Sequence, residues 1–234
     1  MALDDQPNLG SWFLRFDRFG DTHAVAAQNK DQSCALASIK MIVFKINKLS
    51  PGKSAFALEK DIEKIYMQEA GEASHDFNAQ GSQRNVQEKV LNRLGIGSWK
   101  WEQPIAAKIP QLLIDAVGEE VLGMGPVMNT IRHNYPAIIG CNWSGGGGHA
   151  LCVDTITTVP GIGTYAAICD PWDADVHIQK IDIGQPITYI PKQGIGFNLW
   201  GDTKDATDRE ARAKLNQPMP APPTGTITGI IYRT

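Results

Sequence analysis

The chain has 234 residues, 42% apolar and 20% charged, ordinary values for a globular domain. Its 22 basic and 25 acidic side chains leave a net charge of −3, no footprint for nucleic acid or an anionic membrane. Four cysteines are too few for a disulfide scaffold, and the thiols are expected to be free. No apolar run approaches the roughly 20 residues of a membrane span. The acidic opening Met1-Ala2-Leu3-Asp4-Asp5 lacks the apolar stretch of a cleavable signal. The expectation is a protein of the cytoplasm, or one secreted without such a signal.

Residues 1–20 mix Pro7, Gly10 and Gly20 with Trp12, Phe13, Phe16 and Phe19, and read as an arm docked on the body. The body spans 21–200. Its first strong helix runs from Ser33 or Cys34 to about Lys48, with Ala35, Ile39, Ile42, Val43 and Ile46 at helical spacing and Pro51-Gly52 beyond. A second helix covers Leu58 to Ala70 and stops at Gly71. A third begins near Ser82, carries Val86, Val90, Leu91 and Leu94, and stops at Gly95. Pro110 and Pro126 each suit a first helical turn. After Pro136 come short β-rich runs at 137–141, 149–157, 164–169 and 176–183, with 187–190 and 195–199 as further short strands. Residues 201–234 hold a charged helical stretch (202–214), a proline-rich connector (217–223) and a last strand (226–232) on the same domain. Helices followed by antiparallel strands argue an α+β fold with a cleft where the halves meet.

The chemistry concentrates at three places. Cys34 stands where the first helix begins, a position whose partial positive charge favours thiolate. Gln28, six residues upstream, can fold back so that its amide and the Cys34 N–H form an oxyanion hole. The competing reading of Cys34 is a small buried side chain on an apolar helix face. His149 opens an apolar strand directly after Gly145 to Gly148, where a bare backbone leaves the imidazole accessible from one side. Asp170 ends the next strand, and an antiparallel turn near Pro160 to Gly163 brings it back beside His149 to fix the tautomer. Asp154 lies an odd number of residues from His149 and so on the opposite strand face. His177 is an alternative third member, one strand later. Trp143, Gly147, Gly148 and Trp172 flank these positions and are the candidates for substrate contact.

Gln-x5-Cys at a helix start, a distant His opening a strand and an Asp-Pro about twenty residues on resemble the papain-like cysteine peptidases. Within that clan the bacterial branch of bacteriocin-leader peptidases and effector proteases is the nearest match. The resemblance covers roughly residues 21–200 by order and spacing, with four short segments matching closely. It implies a papain-like α+β fold, with Gln28 at the oxyanion position, Cys34 as nucleophile, His149 as base and Asp170 orienting it. The chain departs from the pattern in having Ala35 after the nucleophile, where the leader peptidases have Gly, and no Asn-Ser-Trp after His149. No transporter segments accompany it, so a leader-processing exporter is not expected.

The implied activity is a cysteine endopeptidase on a protein or peptide substrate, as an exported bacterial effector or toxin with a cognate inhibitor or immunity protein. The same groups serve a peptidoglycan amidase or a protein glutamine deamidase or acyl transferase, and a non-catalytic binding module is a third reading. No cofactor is expected. A zinc site from Cys141, His149, Cys152 and Cys169 has suitable ligands but lacks a Cys-x2-Cys knuckle, and His149 and Cys152 point to opposite faces. The triplets Gly95-Ile-Gly97, Gly161-Ile-Gly163 and Gly194-Ile-Gly196 lack the third glycine of a dinucleotide fingerprint.

Overall fold

Helix α1 (Cys34–Asn47) is apolar on nearly all sides, and every residue from Ala35 to Val43 is buried. A helix with no polar face belongs inside a protein, and α1 is the axis on which the other elements are laid. The computed structural model describes residues 12–48, 50, 54, 56–122, 135–191 and 224–234. In it, α1 packs on one side against α2 (Glu59–Ala70) and α3 (Arg84–Arg93), and on the other against a large sheet. Helix α2 closes at Gly71, whose left-handed backbone (φ 70°) returns its N–H to the carbonyls of Met67 and Gln68. Helix α3 turns Val86, Val90 and Leu91 inward, and α4 (Ile109–Val117) carries Pro110 in its first turn, where no N–H is needed.

The sheet has eight strands. Strands β3 (Trp99–Glu102), β10 (Gly225–Arg233), β5 (Ala137–Trp143), β6 (Gly148–Val159), β7 (Gly163–Asp170) and β8 (Asp175–Ile181) lie in that spatial order, all antiparallel. The short β4 (Glu120–Val121) adds parallel to β6, and β9 (Thr188–Tyr189) pairs with the start of β10. Alternation along the strands splits the core in two. Ile138, Ala150, Cys152, Ala167, Cys169 and Ile231 face α1, α2 and α3. Ile139, Leu151, Val153, Ala166, Ile168 and Ile230 face α4.

The α+β expectation holds, and the helix and strand bounds agree with the spacing to within a few residues. The structure adds three features. Residues 12–20 do dock on the body, as part of a hairpin of β1 (Trp12–Phe16) and β2 (Thr22–Ala26), turned at Asp17, whose carboxylate accepts the N–H groups of Phe19 and Asp21. Trp12 is fully buried against Phe44 and Phe56, at ring separations of 5.1 and 5.6 Å. Strand β10, the expected last strand, sits inside the sheet between β3 and β5, so residues 225–233 complete the core. Helix α4 lies on the sheet face away from the other helices. The expected stop at Pro51-Gly52, the helix at Pro126, the strand at 195–199, the helix at 202–214 and the connector at 217–223 lie outside the described residues. No helix among the described residues is long and apolar enough to cross a membrane.

Candidate active site

Cys34 is the first residue of α1. The loop before it is held from several sides. Lys30 N–H donates to the Ser33 hydroxyl at 3.0 Å, Gln32 N–H to the Phe77 carbonyl at 2.7 Å, and Gln28 N–H to the Pro171 carbonyl at 2.9 Å. The last of these ties the loop to the end of β7. Ser33 makes no side-chain cap, so it takes up none of the N–H groups of the first turn. Cys34 Sγ accepts the Ala150 N–H at 3.4 Å, and one helical turn later the Ser38 hydroxyl donates to the Ala150 carbonyl at 3.3 Å. Helix and strand are locked at one residue of β6.

The neighbouring His149 is set by strand register. Cys152 pairs with Cys169, and one step further Asp170 falls opposite Leu151, two residues from His149 on the same face. That diagonal spacing lets the side chains meet: His149 Nε2 lies 2.7 Å from Asp170 Oδ1. Asp170 is buried and fully used, accepting Trp172 N–H at 2.8 Å on the same oxygen and the Tyr189 hydroxyl at 2.7 Å on the other. The Trp143 ring stacks on His149 with centroids 5.7 Å apart and planes 24° from parallel. Burial pulls the His149 pKa down, but the Asp170 charge and hydrogen bonds with Asp170 and Cys34 outweigh it, lifting the imidazole to about 10. Burial alone would raise Asp170, yet the His149 charge and hydrogen bond hold it below the usual carboxylate value. With Nε2 on Asp170, Nδ1 is the nitrogen left for the Cys34 thiol.

Cys34 and His149 open together onto a cleft of about 280 Å³, which Gln32, Ser82, Arg84 and Trp101 also line. The structure therefore brings together Cys34, His149 and Asp170. Gly148 lines the same cleft, and Gly147 lies in the β5–β6 turn, where Gly146 and Gly147 take positive φ (92° and 86°) and the Gly147 carbonyl accepts Trp143 N–H. Trp172 is 61% exposed beside Asp170.

Gln28 departs from expectation. Its Nε2 donates to the carbonyls of Lys30 and Asp31, both at 2.9 Å, so both amide hydrogens close the loop and neither faces Cys34. Gln32 lines the cleft instead. The reason is local: a six-residue loop pinned at both ends turns its Gln inward on its own carbonyls. His177 meets Asp173 at 2.9 Å and not His149. Asp154 lies on the opposite face, as its offset requires, and pairs with His23 and Lys45. Cys141, Cys152 and Cys169 are buried free thiols with raised pKa values, and Cys141 is held at about 12, by burial first and then by the Asp170 charge. Cys152 and Cys169 lie on the α1 face and His149 on the other, so the four zinc-ligand candidates do not converge. Among the described residues, ligand atoms gather only at Asp170, Asp173 and His177, within 4.8 Å of one another, and these are already satisfied by the pairings above.

Sequence reading missed Gln32, Arg84, Trp101 and Tyr189. One signal was available for Arg84: Gly140 and Gly229, isolated glycines inside strands, mark a close approach by another group. No protein-family model matches the chain, and no curated protein matches it in sequence.

Proposed function

We propose that the protein is a papain-like thiol hydrolase, and that its reaction is endopeptidase cleavage of a protein substrate. The observation that carries this reading is the 2.7 Å contact of His149 Nε2 with the buried Asp170, at a cleft that Cys34, the first residue of a buried helix, also lines. Asp170 orients the ring and stabilises its cationic form, and Tyr189 and Trp172 N–H orient Asp170. The Cys34 thiol passes its proton to Nδ1. Sulfur then attacks the substrate carbonyl, a C–S bond forms, and the N–H groups at the α1 start face the oxyanion. As the C–N bond breaks, His149 returns the proton to the leaving amine. Water attacks the thioester next, His149 takes its proton, and the carboxylic acid leaves as the thiol is restored.

His149 pairs with Asp170 at 2.7 Å while His177 pairs with Asp173 at 2.9 Å, which supports a Cys-His-Asp set over a Cys-His-His one, and with it the peptidase over a cell-wall amidase. The test is incubation of the protein with a mixed protein extract and, separately, purified cell wall, followed by mass spectrometry of the products. New internal peptide termini that vanish with Cys34→Ala are the expected result. Glutamine converted to glutamate without new termini, or release from cell wall alone, would overturn the endopeptidase reading.

A further inference from the structure

Arg84, the first residue of α3, lines the same cleft as the proposed nucleophile. Gly140 of β5 and Gly229 of β10 are paired across the strands, and together they make a flat patch without side chains. A Cβ at Gly140 would stand 2.6 Å from the Arg84 Cζ, and one at Gly229 would stand 2.9 Å from its Nη1. The guanidinium occupies the space those side chains would take. The register shift after Ile227 turns Thr228 outward, and its Oγ1 accepts from both Nη1 and Nη2 at 3.3 Å. Asn142 Oδ1 accepts from Nη2 at 3.1 Å.

Every one of these partners is neutral, and Arg84 forms no ion pair with a carboxylate among the described residues. No described residue lining the cleft is acidic. The indole N–H of Trp101 belongs to the same wall. It is buried without an acceptor, and a Cβ at Gly229 would stand 3.4 Å from its nitrogen. A half-buried cation placed in a tailored cradle beside an unanswered N–H donor is a receptor lacking its acceptor.

We infer that Arg84, with Trp101 N–H beside it, binds a carboxylate of the substrate, so that the thiol acts on acyl groups close to an acidic side chain or a free carboxyl terminus. The inference rests on the thiol-hydrolase reading and adds to it a substrate class. An arginine fork suits a planar carboxylate, and the desolvated setting makes the pair stronger than an exposed one.

The test uses three alkylating probes of nearly equal shape: N-iodoacetyl-glutamic acid α-amide, N-iodoacetyl-glutamine with a free α-carboxylate, and N-iodoacetyl-glutamine α-amide. Rates of Cys34 labelling are read by peptide mass spectrometry in the intact chain, in Arg84→Gln and in Arg84→Lys, with folding checked by circular dichroism. The wild type should label about tenfold faster with at least one carboxylate probe than with the neutral one, and the faster arm identifies a side-chain or a terminal carboxylate. Arg84→Gln should erase that preference, read as the ratio of carboxylate to neutral labelling within each protein, and Arg84→Lys should keep a reduced preference. A wild type without preference, or a preference that survives in Arg84→Gln, overturns the inference and leaves the thiol reading intact. Failure of all three probes to label Cys34 in the wild type overturns both.

Discussion

Two histidines of this fold each meet a carboxylate at 2.7 Å, His149 on Asp170 and His23 on Asp154, and both are raised in pKa. Their surroundings separate them. His23 has no exposed surface, gives its second nitrogen to Asp17 at 3.2 Å, and shares Asp154 with Lys45, whose Nζ lies 2.8 Å from it. With both nitrogens on carboxylates, this ring is held in its cationic form up to about pH 9 and ties β2, α1 and β6 together. His149 engages one carboxylate only, and its other side faces a thiol and a cleft. A histidine–carboxylate contact is therefore no signature of chemistry. What distinguishes the candidate site is a nitrogen left over, together with something for it to act on.

The sharpest way to break this contrast is to remove the thiol. Cys34→Ala should lower turnover by about a thousandfold or more, while the melting temperature stays close to wild type because little volume is lost. Asp170→Asn should keep the fold yet cut turnover by roughly three to four orders of magnitude through the wrong tautomer, with His177→Asn leaving turnover nearly unchanged. Asp154→Asn should do the reverse: turnover per folded molecule is retained, and urea unfolding shows a loss of about 3 kcal/mol as the buried carboxylate shared by His23 and Lys45 is removed.

Titration separates the pairs further. For His23, burial lowers the pKa, but bonding to Asp154 and Asp17 lifts it from 6.5 to about 9. A raised pKa stabilises fully below pH 6.5, and that contribution is lost as pH climbs through 9. His23→Gln should therefore cost roughly 3 kcal/mol at pH 6 and much less at pH 10, read from urea midpoints at the two pH values. Equal losses at both would show that the ring is not charged.

Smaller effects divide the two glutamines before Cys34. Gln28→Ala should lower the melting temperature by a few degrees, since it removes two hydrogen bonds from the loop. Gln32→Ala should leave melting unchanged and lower turnover by about tenfold, as a donor in the cleft. Loss of turnover confined to Gln28→Ala would return the oxyanion role to that residue.

Much of the frame is legible in the residues themselves. A left-handed glycine at the end of α2, a proline in the first turn of α4, and alternating runs split by Gly and Pro are local signals, each set by backbone sterics within a few residues. Asp170 beside His149 is legible too, because a single antiparallel turn converts sequence distance into register. The hairpin at Trp12–Ala26 was less so: its apolar residues do not alternate cleanly, and it is held by Phe44 and Phe56 from elsewhere in the chain.

Other features follow from contacts between residues far apart in the chain. Strand β10 takes its place between β3 and β5 because an unpaired inner edge of the sheet must be filled, and no local pattern names the strand that fills it. Gln28 and Gln32 differ in role through the pinning of a loop to Phe77 and Pro171. Arg84 meets Gly140, Asn142 and Thr228 across more than fifty residues of chain, so the cradle beside Cys34 exists only once helix and sheet are packed. Helix ends, strand runs and the histidine–aspartate pair are products of short-range geometry. The shape and charge of the cleft arise from long-range packing, and those are what a substrate meets.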